Sequence, residues 1–423
     1  MFLSINHAPW CAFYLESKMK NPSKDMESDQ VLTDPDPTEQ IPVSIQSGID
    51  FPALHHLLEQ ALEQNRVMGA VVLVAYQGEL IFRFSGGWAN KERAQVMHED
   101  TVFSLGSLSK TISSWLALRL IERGLLSLKD RITRYLPHFG PSFNSICPPI
   151  SIHQLLTHTS GLSYRFIDGE ESAYAQAQVS DGLDDPELSW QENFRRICSV
   201  PLRFAPGTGW RYSLGVDVVG QALQIASGRG LSELLEDSIS RPLGLRHCSF
   251  YKRDDFQMAV PYRNHEACLT RVDGALDLGI GVLRFDEQSL SQRSRPIYAG
   301  ASMLGSGADL MRILLALRNG SLLSKPYCEA LFTDHVPYSA KCMWPNWGYT
   351  YGAAISRQLP ERTMPMSAGS LQWVGAFGQK WMFDRQRDLI IVSMTNTAPE
   401  GLFGAFPDQV RDAVYTDLGL MPD

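Results

Sequence analysis

Apolar residues recur at helical spacing over residues 54–62 and predict the first helix of the globular part of the chain. Asp50 is a candidate N-cap for this helix, and Pro52 would stand in its first turn. Two runs of β-branched and aromatic residues follow within 69–87 and are separated by Gln77-Gly78-Glu79. This pattern predicts a β-hairpin.

The middle of the chain has a helical pattern. A second amphipathic run begins at Ser107 and ends near Gly124, where glycine is a usual stop signal. Residues 125–300 then mix helical stretches with Pro/Gly loops and show little strand character. Helices are predicted at 216–227 and 231–239 within this part.

Strand-like sequence returns in the last third of the chain, after a predicted helix at 308–317. The three predicted strands are 349–356, 374–383 and 389–395. A helix is predicted to close the chain at about 407–418.

Strands at both ends and helices between them predict an α+β fold with one antiparallel sheet built from the two ends of the chain. The sheet domain would comprise residues 50–112 and 300–423, and residues 113–299 would form a mostly helical inserted domain. Residues 17–49 are rich in Asp, Pro, Ser and Lys and poor in aromatics. We therefore expect residues 1–49 to form a disordered leader.

Charge and composition exclude several functional classes. The 38 Lys and Arg against 46 Asp and Glu give a net charge of −8, and no basic stripe is present, which argues against a nucleic-acid partner. No apolar run approaches the roughly 20 residues of a spanning helix. The seven cysteines form no Cys-x-x-Cys pair. We expect a cytoplasmic protein with free thiols and no membrane span.

Common catalytic and cofactor motifs are absent from the sequence. It contains no His-Glu-x-x-His, no phosphate-binding Gly-x-x-x-x-Gly-Lys, no Gly-x-Gly-x-x-Gly after a strand and no Gly-x-Ser-x-Gly elbow. We therefore expect neither a metal nor a cofactor.

Ser107-Leu108-Ser109-Lys110 is the strongest remaining candidate for chemistry. It lies where strand-like sequence leads into a helix, so Ser107 and Lys110 would share a helix face in the first turn. Burial beside the positive end of the helix dipole would lower the pKa of Lys110 and allow the amine to accept a proton from the serine. Without that burial, Ser107 would be an N-cap and Lys110 a solvated charge. The same spacing at 17–20 falls in the expected leader.

Two further segments could complete such a site. Tyr212 follows a Pro-Gly loop and precedes a helix, and a phenol with a lowered pKa could shuttle protons. Alternatively, Tyr212 is an ordinary core residue. The segment 373–378, WVGAFG, opens a strand with small residues that would leave a backbone N–H exposed toward an oxyanion. Taken alone it could be a bulged strand.

In this order, the three segments resemble the serine β-lactamase and penicillin-binding-protein superfamily, in particular its class C-like branch with the family VIII carboxylesterases. The resemblance extends over about residues 51–420. It is supported by three further stretches: LLTHTSGL at 155–162, RFAPG at 203–207 and RPLGL at 241–245. A looser match is GASMLGS at 300–306.

The resemblance implies a β-lactamase/transpeptidase-like fold and a role for each candidate. Ser107 would be the acylated nucleophile, Lys110 its proton acceptor or the group that tunes it, and Tyr212 the acid/base partner. The backbone N–H groups of Ser107 and Ala376 would form the oxyanion hole. His158, in the stretch at 155–162, corresponds to a structural position and is left out of the mechanism.

Two departures from the family pattern bear on the substrate. Leu214 stands where β-lactamases have the Asn of Tyr-x-Asn. In the third motif, which usually begins with Lys or His, this sequence has Trp373, with Gly375 two residues later. Both changes replace polar recognition by apolar surface. We therefore expect Leu214, Trp373 and Gly375 to contact an uncharged small-molecule ester.

The hypothesis is a carboxylesterase-type serine hydrolase that works through an acyl-enzyme on Ser107, with possible acyl transfer to alcohols. One alternative is a β-lactamase or D-amino-acid peptidase of the same superfamily. Another is a non-catalytic, penicillin-binding-like protein.

Overall fold

The structure is a computed structural model that describes residues 43–265, 268–286, 295–357 and 364–422. The helices of this part are α1 (Pro52–Glu63), α2 (Ser109–Glu122), α3 (Ile152–Leu156), α4 (Arg165–Asp168), α5 (Ala173–Gln176), α6 (Trp190–Ser199), α7 (Gly215–Ser227), α8 (Leu231–Leu235), α9 (Gly307–Arg318), α10 (Lys325–Leu331) and α11 (Phe406–Asp417). The strands are β1 (Val43–Ser47), β2 (Gly69–Tyr76), β3 (Glu79–Asn90), β4 (Gln95–Val96), β5 (Phe103–Ser104), β6 (Tyr262–His265), β7 (Cys268–Arg271), β8 (Ala275–Asp277), β9 (Val282–Arg284), β10 (Leu304–Gly305), β11 (Trp347–Tyr349), β12 (Ala354–Ser356), β13 (Leu371–Gly375), β14 (Gln379–Asp384), β15 (Leu389–Thr395) and β16 (Thr397–Ala398).

The main sheet is built from both ends of the chain. Its strand order is β1-β3-β2-β15-β14-β13-β12-β11, with β4 beside β3. Every pair in it is antiparallel, and the central pair of β2 with β15 joins the first part of the chain to the last. This arrangement confirms the predicted α+β class and the sheet formed by the two chain ends.

Helices cover the two central strands. β2 is buried except at its last residue and β15 along its whole length, so residues on both faces are shielded from water. Gly307, at the start of α9, lies against Val71 and Met394, and α11 packs against β15 and α1. Burial of both faces explains why these strands have continuous apolar runs rather than alternating ones.

The predicted hairpin between β2 and β3 is confirmed. The two strands are antiparallel, and the connection consists of Gln77 and Gly78, whose φ angles are 53° and 86°. Two successive positive φ angles define the type I′ turn, whose twist matches that of the strands.

The leader predicted for residues 1–49 differs from the structure at its C-terminal end. Val43–Ser47 is strand β1, which pairs antiparallel with β3, and Ile45 stands opposite Phe84. Polar composition did not prevent this, because an edge strand gains main-chain hydrogen bonds from an existing sheet edge whatever its side chains are. The remainder of the predicted leader lies outside the described residues.

The prediction of Asp50 as the N-cap of α1 was wrong. Phe51 occupies the N-cap position and makes no side-chain capping bond. The carboxylate of Asp417, in α11, accepts hydrogen bonds from the backbone N–H groups of Ala53 (3.1 Å) and Leu54 (2.9 Å) instead. The cap is supplied by the other end of the chain, which no local pattern could show.

Several strand predictions were too long or missing. The strand predicted at 349–356 is divided between the ends of β11 and β12, and the one predicted at 374–383 is interrupted by a turn between β13 and β14. Residues 125–300 also contain β6 to β9, which were not expected. Each is only three or four residues long, too short to give a periodic signal.

The helices that approach the candidate chemistry belong to the middle of the chain. α2 is buried on almost every side, packs against α7 and α8, and touches the sheet where Trp115 meets Trp381 at 5.8 Å between ring centroids.

None of the helices in the described part of the chain is long and apolar enough to cross a membrane. The division into a sheet domain and an inserted domain stays a prediction.

Replacing Asp417 by Ala should lower the free energy of unfolding by about 1–2 kcal/mol, because two amide donors at the start of α1 lose their acceptor. Urea unfolding measures the change. Thr416→Ala, at an exposed neighbouring position whose hydroxyl bonds only within α11, is the matched control and should shift stability by less than about 0.5 kcal/mol. Equal losses in both variants would contradict the capping role of Asp417.

Candidate active site

Ser107 lies in a single 3₁₀ turn, Gly106–Leu108, between β5 and α2. This is immediately before the helix rather than in its first turn. Gly106 has a φ of 48°, a left-handed conformation that glycine adopts readily. Trp373 fixes the turn, because its indole N–H donates to the carbonyl oxygen of Ser107 at 3.2 Å. The serine is thus held rigidly at the point where strand becomes helix.

Lys110 is in the first turn of α2 and is 1% exposed. Its Nζ donates a hydrogen bond to the carbonyl oxygen of Gly300 at 2.7 Å. Burial lowers the pKa of Lys110 to about 8, and the charges of Asp217 and Asp181 oppose that shift. The amine is therefore partly neutral just above neutral pH, as a proton acceptor must be.

The structure brings Ser107, Lys110 and Tyr212 to the wall of one cavity. Lys110 Nζ lies 4.7 Å from the centroid of the Tyr212 ring and 5.0 Å from that of Tyr164. Within the described residues, the side chains of Ser107 and Lys110 make no hydrogen bond to each other. The amine thus lies over the Tyr212 ring and is anchored on the Gly300 carbonyl.

Tyr212 does not have the lowered pKa that the sequence interpretation invoked. Burial raises the pKa of its phenol strongly, and the nearby side chains of Ser107 and Trp373 only partly offset this. Its hydroxyl has no well-aligned hydrogen-bond partner in the described part of the chain. The phenol is therefore neutral at physiological pH and can donate a proton, while Lys110 is the group whose pKa is lowered.

His158 supports the Tyr212 ring. The two ring centroids are 4.9 Å apart in an edge contact, and His158 Nδ1 lies 3.0 Å from the hydroxyl oxygen of Ser213. Burial and the neighbouring Lys110 hold the pKa of His158 well below its usual value. A neutral, fully buried imidazole in this position packs against the site and carries no charge into it.

Asp217 and Tyr164 belong to the site but were not identified from the sequence. Asp217, in the first turn of α7, accepts a hydrogen bond from the Gly300 N–H at 2.8 Å and one from the Tyr164 hydroxyl at 3.3 Å. It therefore holds the backbone segment to which Lys110 is bonded. The sequence offered only two signals for them. Asp217 lies five residues after Tyr212, and Tyr164 lies two residues after the 155–162 motif.

The backbone around Ala376 comes close to the Ser107 turn. A Cβ atom on Gly106 would lie 3.2 Å from the Ala376 nitrogen. One on Gly375 would lie 2.6 Å from the carbonyl oxygen of Leu105, so glycine is needed there for the close approach of the two segments. Neither the Ser107 amide nor the Ala376 amide donates a hydrogen bond within the described residues, and both residues line the cavity. Two N–H groups are thus available beside the serine.

Of the three residues predicted to contact substrate, only Trp373 lies on the cavity wall. Leu214 is fully buried at the N-cap of α7 and faces the core. Gly375 is likewise off the wall, and its contribution is the close approach of β13 to the chain before Ser107. The sequence position next to Tyr212 could not show which way the Leu214 side chain points.

The cavity is narrow and mainly apolar. The volume that the centres of water molecules can occupy in it is about 40 Å³, which is enough for a few waters. The residues that line it beyond Ser107, Lys110, Tyr212 and Trp373 are Gly106, Tyr164, Phe166, Asp181, Leu183, Leu278, Ile280, Leu283, Ala301, Met343, Val374, Ala376, Leu402 and Phe403. Such a wall suits a small acyl group with little polarity.

A larger cavity of about 500 Å³ lies elsewhere, between β1, β3 and the segment that contains His98. It includes none of the candidate residues, so its size does not make it the reaction site. The part of the chain that the structure describes contains no group of three or more His, Cys, Asp or Glu side chains that could hold a metal ion.

Comparison with known proteins gives one family. The beta-lactamase family model matches residues 54–415. Esterase EstB of Burkholderia gladioli is 37% identical over 369 residues, which cover 86% of this chain and 94% of EstB. The lovastatin esterase of Penicillium rubens is 26% identical over 375 residues, 78% of this chain and 89% of that protein.

Solved structures agree with the sequence matches. EstCE1, a hydrolase with promiscuous acyltransferase activity, superposes with a TM-score of 0.82 at 33% identity and covers 86% of this chain and 98% of its own. Simvastatin synthase (LovD) from Aspergillus terreus gives a TM-score of 0.69 at 19% identity, with 86% of this chain and 98% of LovD covered. At that identity the second likeness concerns the fold alone.

Proposed function

Because the chain belongs to the beta-lactamase family, we propose that it is a carboxylesterase-type serine hydrolase that forms an acyl-enzyme on Ser107 and can pass the acyl group to an alcohol. The observation that carries this proposal is the meeting of Ser107, Lys110 and Tyr212 at one narrow apolar cavity. The similarity to EstB and to EstCE1, an esterase and a hydrolase with acyltransferase activity, supports it.

Acylation would begin with the neutral amine of Lys110 taking up the proton of Ser107, with the Tyr212 phenol as the relay between them. The serine oxygen then attacks the ester carbonyl carbon. The N–H groups of Ser107 and Ala376 stabilise the resulting oxyanion, and loss of one such donor typically costs about 10²–10³ in rate. When the carbon–oxygen bond to the alcohol breaks, Tyr212 gives its proton to the leaving oxygen and regains one from the Lys110 ammonium.

Deacylation would run the same steps in reverse with a new nucleophile. A water or alcohol gives its proton to the Lys110–Tyr212 pair, and its oxygen attacks the acyl carbon. Collapse of the tetrahedral intermediate returns a proton to Ser107 and releases an acid or a new ester. An apolar cavity with room for few waters favours an alcohol acceptor with an apolar body, which supports acyl transfer beside hydrolysis.

The apolar wall supports an ester substrate over a β-lactam. Trp373 stands where a cation would pair with a β-lactam carboxylate, and its indole N–H is already bonded to Ser107. Lys110 is the one basic side chain on the cavity wall of the described structure. No feature of the described cavity wall specifically favours the peptidase, β-lactamase or non-catalytic alternative. A cytoplasmic location is part of the proposal, supported by the free thiols of the six described cysteines.

Ser107→Ala should abolish hydrolysis of 4-nitrophenyl butyrate and labelling by a fluorophosphonate, while the unfolding temperature stays unchanged. The matched control is Ser114→Ala in α2, the helix that follows Ser107, because the Ser114 hydroxyl is buried and has no hydrogen-bond partner in the described chain. Spectrophotometric rates and intact-protein mass spectrometry measure the two effects. Wild-type turnover in Ser107→Ala would remove this serine from the reaction.

The value of kcat/KM should fall about tenfold per pH unit below about pH 8, because Lys110 with a pKa of about 8 must be deprotonated to act as a base. Asp217→Asn removes a charge that raises the pKa of Lys110, so this acid limb should move to lower pH. Asp237→Asn, whose carboxylate pairs with Arg229, is the control and should leave the limb in place. An unmoved limb in Asp217→Asn would contradict the assignment of the limb to Lys110.

A further inference from the structure

Asp181 is the one carboxylate among the described residues that line the mainly apolar cavity. The residue is 7% exposed, and it lines the same cavity as Ser107. One carboxylate oxygen accepts the Arg165 N–H at 2.8 Å and the other accepts the Phe166 N–H at 3.0 Å. These bonds fix both oxygens at the start of α4, from which Phe166 also reaches the cavity.

No cationic side chain pairs with this carboxylate in the described structure. The guanidinium of Arg165 bonds to Glu170 at 2.8 Å. Lys110 bonds to the Gly300 carbonyl. Asp184, on the same loop, adds a like charge, and its own carboxylate accepts a hydrogen bond from Ser180. Asp181 therefore has no ion-pair partner among the described residues, and Lys110, the one basic side chain on the same wall, is mostly neutral above about pH 8.

The charge of Asp181 acts on the groups around the cavity. It raises the pKa of Lys110 and the pKa values of the Tyr164 and Tyr174 phenols. An anionic acyl group bound in the cavity that Asp181 lines would be repelled by the Asp181 carboxylate, because like charges repel more strongly where little water screens them.

We propose that Asp181 is a specificity-determining residue that excludes acyl groups bearing a carboxylate, so that the esters accepted at Ser107 have an uncharged acyl part. This proposal rests on the proposed function and goes beyond it by naming the group that rejects a class of esters. The absence of a pairing cation would merely fail to attract such esters, whereas a buried carboxylate acts against them.

The exclusion depends on pH. Burial raises the pKa of Asp181 to about 7, while its two amide hydrogen bonds and Arg165 oppose this shift. Asp181 is therefore charged above about pH 7 and neutral below it. Lys110 also loses its positive charge as the pH rises, so wild-type protein and variant must be compared at the same pH.

The test measures kcat/KM for monoethyl succinate and for ethyl succinamate, its uncharged isostere, and uses their ratio within each protein. At pH 8.5 the kcat/KM of the wild-type protein for monoethyl succinate should be about one tenth of its kcat/KM for ethyl succinamate. Asp181→Asn should raise that ratio about tenfold at pH 8.5, and much less at pH 6, where Asp181 is already neutral in the wild-type protein. A merely structural role of Asp181 would slow both esters alike and leave the ratio unchanged.

Asp184→Asn is the matched control, because Asp184 lies on the same loop but does not line the cavity. Its ratio at pH 8.5 should stay within about twofold of wild type. If Asp181→Asn does not fold, the same ratio is measured in Asp181→Ser, and the wild-type ratio at pH 8.5 tests the exclusion without any variant. Equal turnover of the two esters by the wild-type protein, or an unchanged ratio in the folded variant, would overturn the proposal. Failure of the proposed function would appear differently, as turnover of neither ester.

Discussion

The burial of one amine is the constraint on which the site depends. Lys110 is placed at the start of a helix whose dipole opposes a positive charge, and it is almost fully removed from water. A lysine so placed is retained only where other groups compensate for its desolvation. The carbonyl of Gly300 and the charge of Asp217 supply that compensation. Because Asp217 also holds the Gly300 N–H, one carboxylate fixes both the charge and the backbone on which the amine rests.

The geometry of the candidate site comes from the pairing of the two chain ends in one sheet. β5 leads directly to Ser107, whereas the end of β13 leads to Ala376, and the two meet only because the last strands of the chain pair with β2. Gly106 and Gly375 let these backbones approach more closely than side chains would permit. The distant contact of Asp417 with the start of α1 belongs to the same arrangement, since it ties the first helix to the last.

The long, strongly periodic elements could be predicted from the sequence, and so could the meeting of Ser107, Lys110 and Tyr212 at one cavity. Other features that depend on distant contacts could not. β15 was predicted with its observed bounds, because every one of its residues is apolar or small and buried. The short hairpin strands and the edge strand β1 lack such a signal, since pairing partners rather than composition create them. The same limit applies to side-chain direction. Leu214 was expected at the substrate but faces the core, and the pKa of Tyr212 is raised because burial outweighs its neighbours.

The electrostatic character of the cavity follows from the same balance between burial and charge. With Trp373 in the third motif, the polar N–H that faces this region is directed at Ser107 and not at a ligand, so the wall offers an anionic substrate no fixed donor there. Asp217 and Asp181 raise the pKa of Lys110 and so limit the loss of its proton. The same two carboxylates place negative charge around the amine. The buried carboxylates that set the pKa of Lys110 therefore also disfavour the binding of anions. In this way the pKa that the proposed reaction needs restricts the class of ester that the site can accept.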